Sequence, residues 1–137
     1  MHKLVDQIQS KQLINLARFA KTRAYAPYSN FHVGSALLAV NKQIFLGCNI
    51  ENSSYGETIC AEKVAITKAI SNGIKNFLAI AIVAKENKIS WPCGSCRQVL
   101  LEFSPSILIL ACTIDGKIKT KKLNELIPYA FNIKHLE

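Results

Sequence analysis

Two short stretches place cysteine beside groups that handle protons. In "TICAEKVA" one residue separates Cys60 from Glu62; in "WPCGSCRQV" Pro92 precedes Cys93, which stands three residues before Cys96. Thiolates are soft anionic ligands, and a set of three suits four-coordinate zinc. Cys60, Cys93 and Cys96 would hold Zn2+, one ion per chain, with the fourth position open to water. Glu62 would take a proton from that water and deliver it to a substrate. Cys93 and Cys96 would face one side of a helix's first turn. Cys60 and Glu62 would diverge inside a helix, and converge only at a helix start, over the end of its axis.

The charge of such a centre constrains its neighbours. Zinc with three thiolates is an anion, so it acidifies water poorly unless positive charge compensates. Two helix N-termini aimed at the thiolates would supply part of it. Lys63 or Arg97 would supply more through hydrogen bonds to sulfur. Two other readings of the same cysteines stand beside this one. One is a structural zinc closed by Cys48, Cys112 or His32, which leaves Glu62 without a role. The other is a thioredoxin-like redox pair at Cys93 and Cys96.

The elements that must position these residues come from a chain of 137 residues, half of them hydrophobic and 19% charged. That is one domain over 1–137 with a core of its own, and it is incompatible with disorder. Five cysteines and no export signal argue against a disulfide framework. The first twenty residues are broken by Asp6, Lys11 and Arg18, unlike a signal peptide. No apolar run reaches the ~20 residues of a membrane span. A cytoplasmic protein with no membrane partner is the expectation. The net charge of +8 hints at an acidic partner. However, the dense cluster Lys117, Lys119, Lys121 and Lys122 lacks the interleaved aromatics of a base-stacking surface. It reads as a solvated strand and turn, with no nucleic acid as partner.

Over residues 3–23, apolar residues at Leu4, Ile8, Leu13, Leu16, Ala17 and Ala20 have helical spacing, and "YAPYSNF" is expected to break that helix because Pro27 restricts both itself and Ala26. "HVGSALLAV" and "QIFLGCNI" read as a hairpin, and "ENSSYGET" as a loop. "ICAEKVAITKAISNG" is helical, with Thr58 as N-cap and Asn72-Gly73 as the stop. "FLAIAIVAK" suits a central strand covered on both faces. "PCGSCRQVLLEF" is a helix with Pro92 near its start. "ILILAC" and "IKTKKL" are strands joined through Asp115-Gly116. The fold class is therefore α/β, a three-layer α/β/α arrangement with one five-stranded mixed sheet.

C-x-E followed by P-C-x-x-C, each opening a helix, is the signature of zinc nucleobase deaminases in their three-cysteine form. The chain resembles the small homotetrameric cytidine deaminases from about Ala24 to Phe131. The likeness rests on "AYAPYSNFHVGSALL", "GCNIENSSYGETICAE", "PCGSCRQVLLEF" and "ELIPYAF". It implies hydrolytic deamination of cytidine and deoxycytidine, one zinc per subunit, a nucleoside as partner, and a homotetramer with active sites at subunit interfaces. It also implies that Asn49 and Glu51 hold the ribose and that Phe31 lies against the pyrimidine. The Ala61 N–H would meet the base carbonyl, and Glu62 the ring nitrogen beside the reacting carbon. The Trp91 carbonyl would lie near the departing amine. Tyr55 and Phe131 would reach a neighbouring subunit's nucleoside. A carboxylate at Glu51 would repel phosphate and select nucleosides over nucleotides. Three positions depart from the family pattern. Lys63 stands where arginine is common, Glu57 where no charge is expected, and Trp91 where a small residue is usual. A blasticidin-type or modified-nucleoside deaminase and a zinc-stabilised nucleic-acid-binding module are the rival readings.

Overall fold

The computed structural model describes residues 5–137. Leu4, the first residue of the expected helical stripe, lies outside them. Helix α1 runs Gln7–Lys21, with Asp6 as N-cap in a reciprocal capping box with Gln9. It ends at Lys21, with Thr22 as C-cap and its hydroxyl donating to the Phe19 carbonyl at 2.6 Å, so it stops before the stretch around Pro27 that was expected to break it. Its buried stripe is Leu13, Ile14, Ala17 and Ala20, while Ile8 faces solvent. Ile8 is thus removed from the expected stripe, and Ile14 takes a place in it.

Strands β1 (Gly34–Ala39) and β2 (Ile44–Cys48) form the expected antiparallel hairpin. A 3₁₀ turn, Tyr55–Glu57, interrupts the following loop. Helix α2 spans Ala61–Ser71 and stops at Asn72 before Gly73, whose φ of +84° suits only glycine without strain. Strand β3 (Phe77–Val83), helix α3 (Gly94–Phe103) and strand β4 (Leu108–Cys112) make a parallel crossover unit. Strand β5 (Ile118–Lys122) returns antiparallel and runs directly into a short helix α4, Leu123–Leu126, that the sequence reading did not anticipate. A terminal 3₁₀ turn covers Ile133–Leu136.

The five strands lie in the order β2-β1-β3-β4-β5. Alternation sorts the central strands into two cores. Ala36, Leu38, Ala79, Ala81 and Val83 face α1. Leu37, Ala39, Ile80 and Ile82 face the second layer, where Ala65, Ile66 and Ala69 of α2 and Leu100 and Leu101 of α3 cover them. The result is the three-layer α/β/α sandwich with a mixed five-stranded sheet. Strand β5 is exposed along its whole length, as the lysine cluster implied, and Lys121 pairs with Glu125 at 3.8 Å.

Two glycines set how closely the helices approach the sheet. A Cβ at Gly34 would lie 2.0 Å from the Ala17 carbonyl of α1, and one at Gly47 would lie 2.1 Å from the Ala61 carbonyl of α2. The first turn of α2 therefore rests directly on β2. It is held there by the fully buried Ser35 hydroxyl, which donates to the Ala61 carbonyl at 2.8 Å.

Candidate active site

The N-cap of α2 is Cys60, not Thr58, and the N-cap of α3 is Cys93. The cause is local. Ile59 exchanges backbone hydrogen bonds with Ile50, which keeps the chain extended through residue 59 and delays the helix. Cys60 consequently has an extended backbone, with ψ of 152°, and Cys93, the N-cap of α3, is likewise extended, with ψ of 167°. This removes the geometric obstacle at Cys60 and Glu62: one residue lies outside the helix and the other in its first turn. Cys96 lies in the first turn of α3.

The Sγ atoms of Cys60, Cys93 and Cys96 lie within 4.8 Å of one another, and Cys60 and Cys93 are 4.0 Å apart. Tetrahedral zinc with bonds of about 2.3 Å needs sulfurs ~3.8 Å apart. The donor set therefore fits zinc by size, softness and number. Cys48, Cys112 and His32 do not join the group. Cys112 is buried in the core beneath α1, where desolvation pushes its thiol up to about 11. The metal cluster found among the described residues thus has three protein ligands, the pattern of a catalytic rather than a closed structural site.

The thiols already share protons unequally. Hydrogen bonding with Cys96 pulls the Cys60 thiol down to about 6, with help from Cys93 and the charge of Lys63, against the opposing effect of burial. The same bond and burial push the fully buried Cys96 thiol upward. Glu62 is buried at 6% exposure, and desolvation raises its carboxyl to about 7. The Cys60 charge adds to the rise, while Lys63 and the first-turn N–H of α2 oppose it. A carboxyl poised near neutrality is suited to both accepting and returning a proton.

Lys63 and Arg97 do not reach sulfur, contrary to the expectation of direct hydrogen bonds. Lys63 Nζ donates to Ser95 Oγ at 2.6 Å, tying the first turns of α2 and α3 together. Its effect on Cys60 is through space. Arg97 Nε donates to the Pro92 carbonyl at 2.7 Å and Nη1 to the Leu126 carbonyl at 2.6 Å. Arg97 therefore positions the loop before Cys93 and fastens it to α4. Glu57 is exposed on its 3₁₀ turn and does not line the cavity described next.

A cavity of about 260 Å³ opens beside the thiols. It brings together Phe31, Asn49, Glu51, Cys60, Ala61, Glu62, Trp91 and Cys93. Val33, Thr58, Ile82 and Ser90 complete the wall; the sequence reading marks none of the four as a site residue, and gives Thr58 only a capping role. Ile82 carried a usable signal, since it is the last inward residue of a central strand on the α2 side. Asn49 and Glu51 do share this wall, but β2 ends at Cys48, so they lie beyond the strand rather than in it. Their side chains also build the loop. Asn49 Oδ1 accepts from Val33 N at 2.9 Å, and its Nδ2 donates to the Phe31 carbonyl at 2.7 Å. Glu51 accepts from Tyr28 N at 2.9 Å, from Ser29 N at 3.1 Å, and from the Ser29 hydroxyl. These bonds, the Ser29 hydroxyl foremost, hold its carboxyl below the usual range. A carboxylate offers about four acceptor positions, so one remains for a ligand. Tyr55 and Phe131 do not line this cavity. Tyr55 meets Tyr28 edge-on at 5.7 Å, and Phe131 stacks on His135 at 5.1 Å.

The profile of the cytidine and deoxycytidylate deaminase zinc-binding region matches residues 7–112. A cytidine deaminase of Sporosarcina psychrophila is 43% identical over 127 residues, which cover 92% of this chain and 93% of that protein. The crystal structure of cytidine deaminase from Burkholderia pseudomallei superposes with a TM-score of 0.85 at 40% identity, over 88% of this chain and 98% of the other. A Bacillus cereus blasticidin-S deaminase is more distant, 30% identical over 131 residues covering 90% of this chain and 92% of that one. Three thiols gathered at two helix starts, a buried carboxyl among them and a matching chain-length likeness lead to one conclusion: the chain belongs to the cytidine and deoxycytidylate deaminase family of zinc-binding proteins.

Proposed function

We propose that the protein hydrolyses cytidine and deoxycytidine to uridine and deoxyuridine, releasing ammonia in pyrimidine salvage. The observation that carries this is the buried Glu62 carboxyl in one cavity wall with Cys60 and Cys93, whose sulfurs converge with that of Cys96. Cys60, Cys93 and Cys96 would hold the zinc, which when bound acts as a Lewis acid and acidifies water. Glu62 accepts a proton, delivers it to the ring nitrogen next to the carbon bearing the amine, and later carries a proton to that amine. Its depth in the wall keeps bulk water from competing for the proton. The N–H of Ala61, at the first position of α2, has no acceptor within its own helix and is available to the base carbonyl. Phe31 lies against the ring, the Trp91 carbonyl faces the amine, and Asn49 and Glu51 bind the sugar hydroxyls. The negative charge of Glu51 disfavours a 5′-phosphate.

A homotetramer with active sites at its subunit interfaces belongs to the same reading. Tyr55 is 74% exposed and Phe131 58% exposed, which supports contact with a neighbouring subunit. In light scattering, the expected mass is four times 15.2 kDa. A monomer that is fully active would remove both aromatics from the site. A single domain over 1–137 and a cytoplasmic location fit the chemistry, because the cytosol keeps thiols reduced and able to bind metal. No helix among the described residues is long and apolar enough to cross a membrane.

The deciding experiment measures zinc content and cytidine turnover for wild type and Glu62→Gln. The variant is expected to keep its zinc and lose turnover by about 10²–10⁴-fold. Full activity in that variant would refute the proton shuttle. The Bacillus cereus likeness favours one alternative substrate, so blasticidin S belongs in the assay panel. Faster turnover of blasticidin S than of cytidine would replace the nucleoside reading.

A further inference from the structure

Two segments carry the three thiols, and each is anchored on its own side of the site. The Ser35 hydroxyl holds the Ala61 carbonyl beside Cys60, while Arg97 holds the Pro92 carbonyl beside Cys93 and fastens it to Leu126. Neither anchor crosses from α2 to α3. Apart from contacts that involve the ligand sulfurs themselves, the hydrogen bond found among the described residues between α2 and the Cys93–Cys96 turn runs from Lys63 Nζ to Ser95 Oγ, at 2.6 Å. Lys63 lies three residues after Cys60, and Ser95 lies between Cys93 and Cys96. The bond therefore spans the same gap that a metal ion would span, by a route that uses no sulfur.

The two partners suit a latch. Lysine is a point charge on a flexible stem, able to reach across the gap, and its bond to a hydroxyl is charge-assisted. The ion pair found among the described residues is Lys121–Glu125, so no carboxylate draws Lys63 elsewhere. Ser95 is exposed, so its hydroxyl fills no space in the core. The force that the latch must resist comes from the thiols. Their sulfurs lie within 4.8 Å of one another, and three thiolates at that spacing repel whenever no cation sits among them. Zinc leaves such a site as the two segments part, and a bond outside the ligand set opposes that separation.

We propose that Ser95 is a positioning residue that acts through Lys63 to hold the two ligand segments together and so retain the zinc. This rests on Cys60, Cys93 and Cys96 being the ligands. The test follows transfer of zinc from the loaded protein to a chromogenic chelator, with zinc content and circular dichroism recorded for each variant. Ser95→Ala removes the acceptor and keeps the ammonium; it should bind one zinc per chain and release it about fivefold faster than wild type. Ser95→Thr keeps a hydroxyl and should release zinc at the wild-type rate. Lys63→Met should also release it faster, and adding Ser95→Ala should bring no further acceleration, because the bond is already gone. A serine with a merely local role would not depend on the lysine in this way. A Ser95→Ala rate equal to wild type, a Ser95→Thr rate equal to that of Ser95→Ala, or effects that multiply in the double variant would overturn the proposal. Cys96→Ala, run alongside, separates two failures. A zinc-free Cys96→Ala protein with an unaltered Ser95→Ala rate overturns the latch alone, whereas a fully zinc-loaded one overturns the ligand set on which the latch rests.

Discussion

Gly47→Ala should disable the site without touching any residue in it. The added methyl would lie 2.1 Å from the Ala61 carbonyl oxygen, 2.7 Å from Ala65 N and 2.9 Å from Ser35 Oγ. A carbon and a carbonyl oxygen need about 3.3 Å, so α2 must lift by roughly 1.2 Å at its first turn. Two of the three obstructing atoms are backbone, so no side-chain rotation relieves the clash. Lifting the turn breaks the Ser35–Ala61 bond and moves Cys60, Ala61 and Glu62 together. Overpacking costs about 1–3 kcal/mol, and a displacement near 1 Å at reacting groups costs about 10²-fold in rate. The expected result at fixed protein concentration is a melting temperature lower by roughly 4–10 °C and a kcat for cytidine lower by about 10²-fold. Gly34→Ala is the matched control, since its methyl would meet the Ala17 carbonyl at 2.0 Å on the opposite face of the sheet. It should cost similar stability and leave kcat per bound zinc within about threefold. Unchanged kcat in Gly47→Ala, or an equal loss in both variants, would refute the idea that β2 sets the height of the catalytic turn.

Other outcomes can be stated briefly. Cys96→Ala should lose zinc as well as turnover, because the buried thiol is one of the three clustered ligands among the described residues; stoichiometric zinc by mass spectrometry would remove it from the ligand set. Arg97→Met leaves the Pro92 and Leu126 carbonyls without their donor, and should lower stability by about 1–3 kcal/mol and speed zinc loss to a chelator. A chelation rate equal to wild type would count against its positioning role. Ser29→Ala removes the bond that contributes most to the low Glu51 pKa. KM for cytidine should rise with kcat nearly unchanged, and an altered kcat alone would contradict a role in sugar binding. The Glu51 carboxyl should titrate below ordinary glutamates by NMR. Because its folded value is depressed, its stabilising effect is complete above the unfolded pKa near 4.5 and fades as pH falls through the folded value.

Much of the frame was readable because the physics there is local. Residues 77–83 are apolar on both faces, and a run so short and so uniformly apolar suits a covered central strand. The two thiol clusters were readable from spacing and chemistry alone. The start of α2 was misread because threonine is the better N-cap by propensity. A backbone bridge between Ile59 and Ile50 overrides that preference, and the bridge depends on a partner nine residues away. Asn49 and Glu51 illustrate the same limit. Their place at the site was implied by the family resemblance alone, and their bonds to Val33, Phe31, Tyr28 and Ser29 cross 16 to 23 positions. Arg97 was assigned to sulfur because it sits beside the ligands in sequence, whereas its partner at Leu126 is 29 positions onward. The four-residue helix α4 carries too little periodicity to be recognised.

The unequal sharing of protons among the thiols has a practical consequence for anyone stripping the metal. With the Cys60 thiol drawn below its ordinary range by the Cys96 hydrogen bond, it is the readiest of the three to ionise, and the solvent-facing Cys93 sulfur lies 4.0 Å away. Air or peroxide acting on the emptied centre would attack that anion first and join or cap the pair. Dialysis against a chelator in open vessels should thus yield protein that fresh zinc does not revive, until dithiothreitol is added.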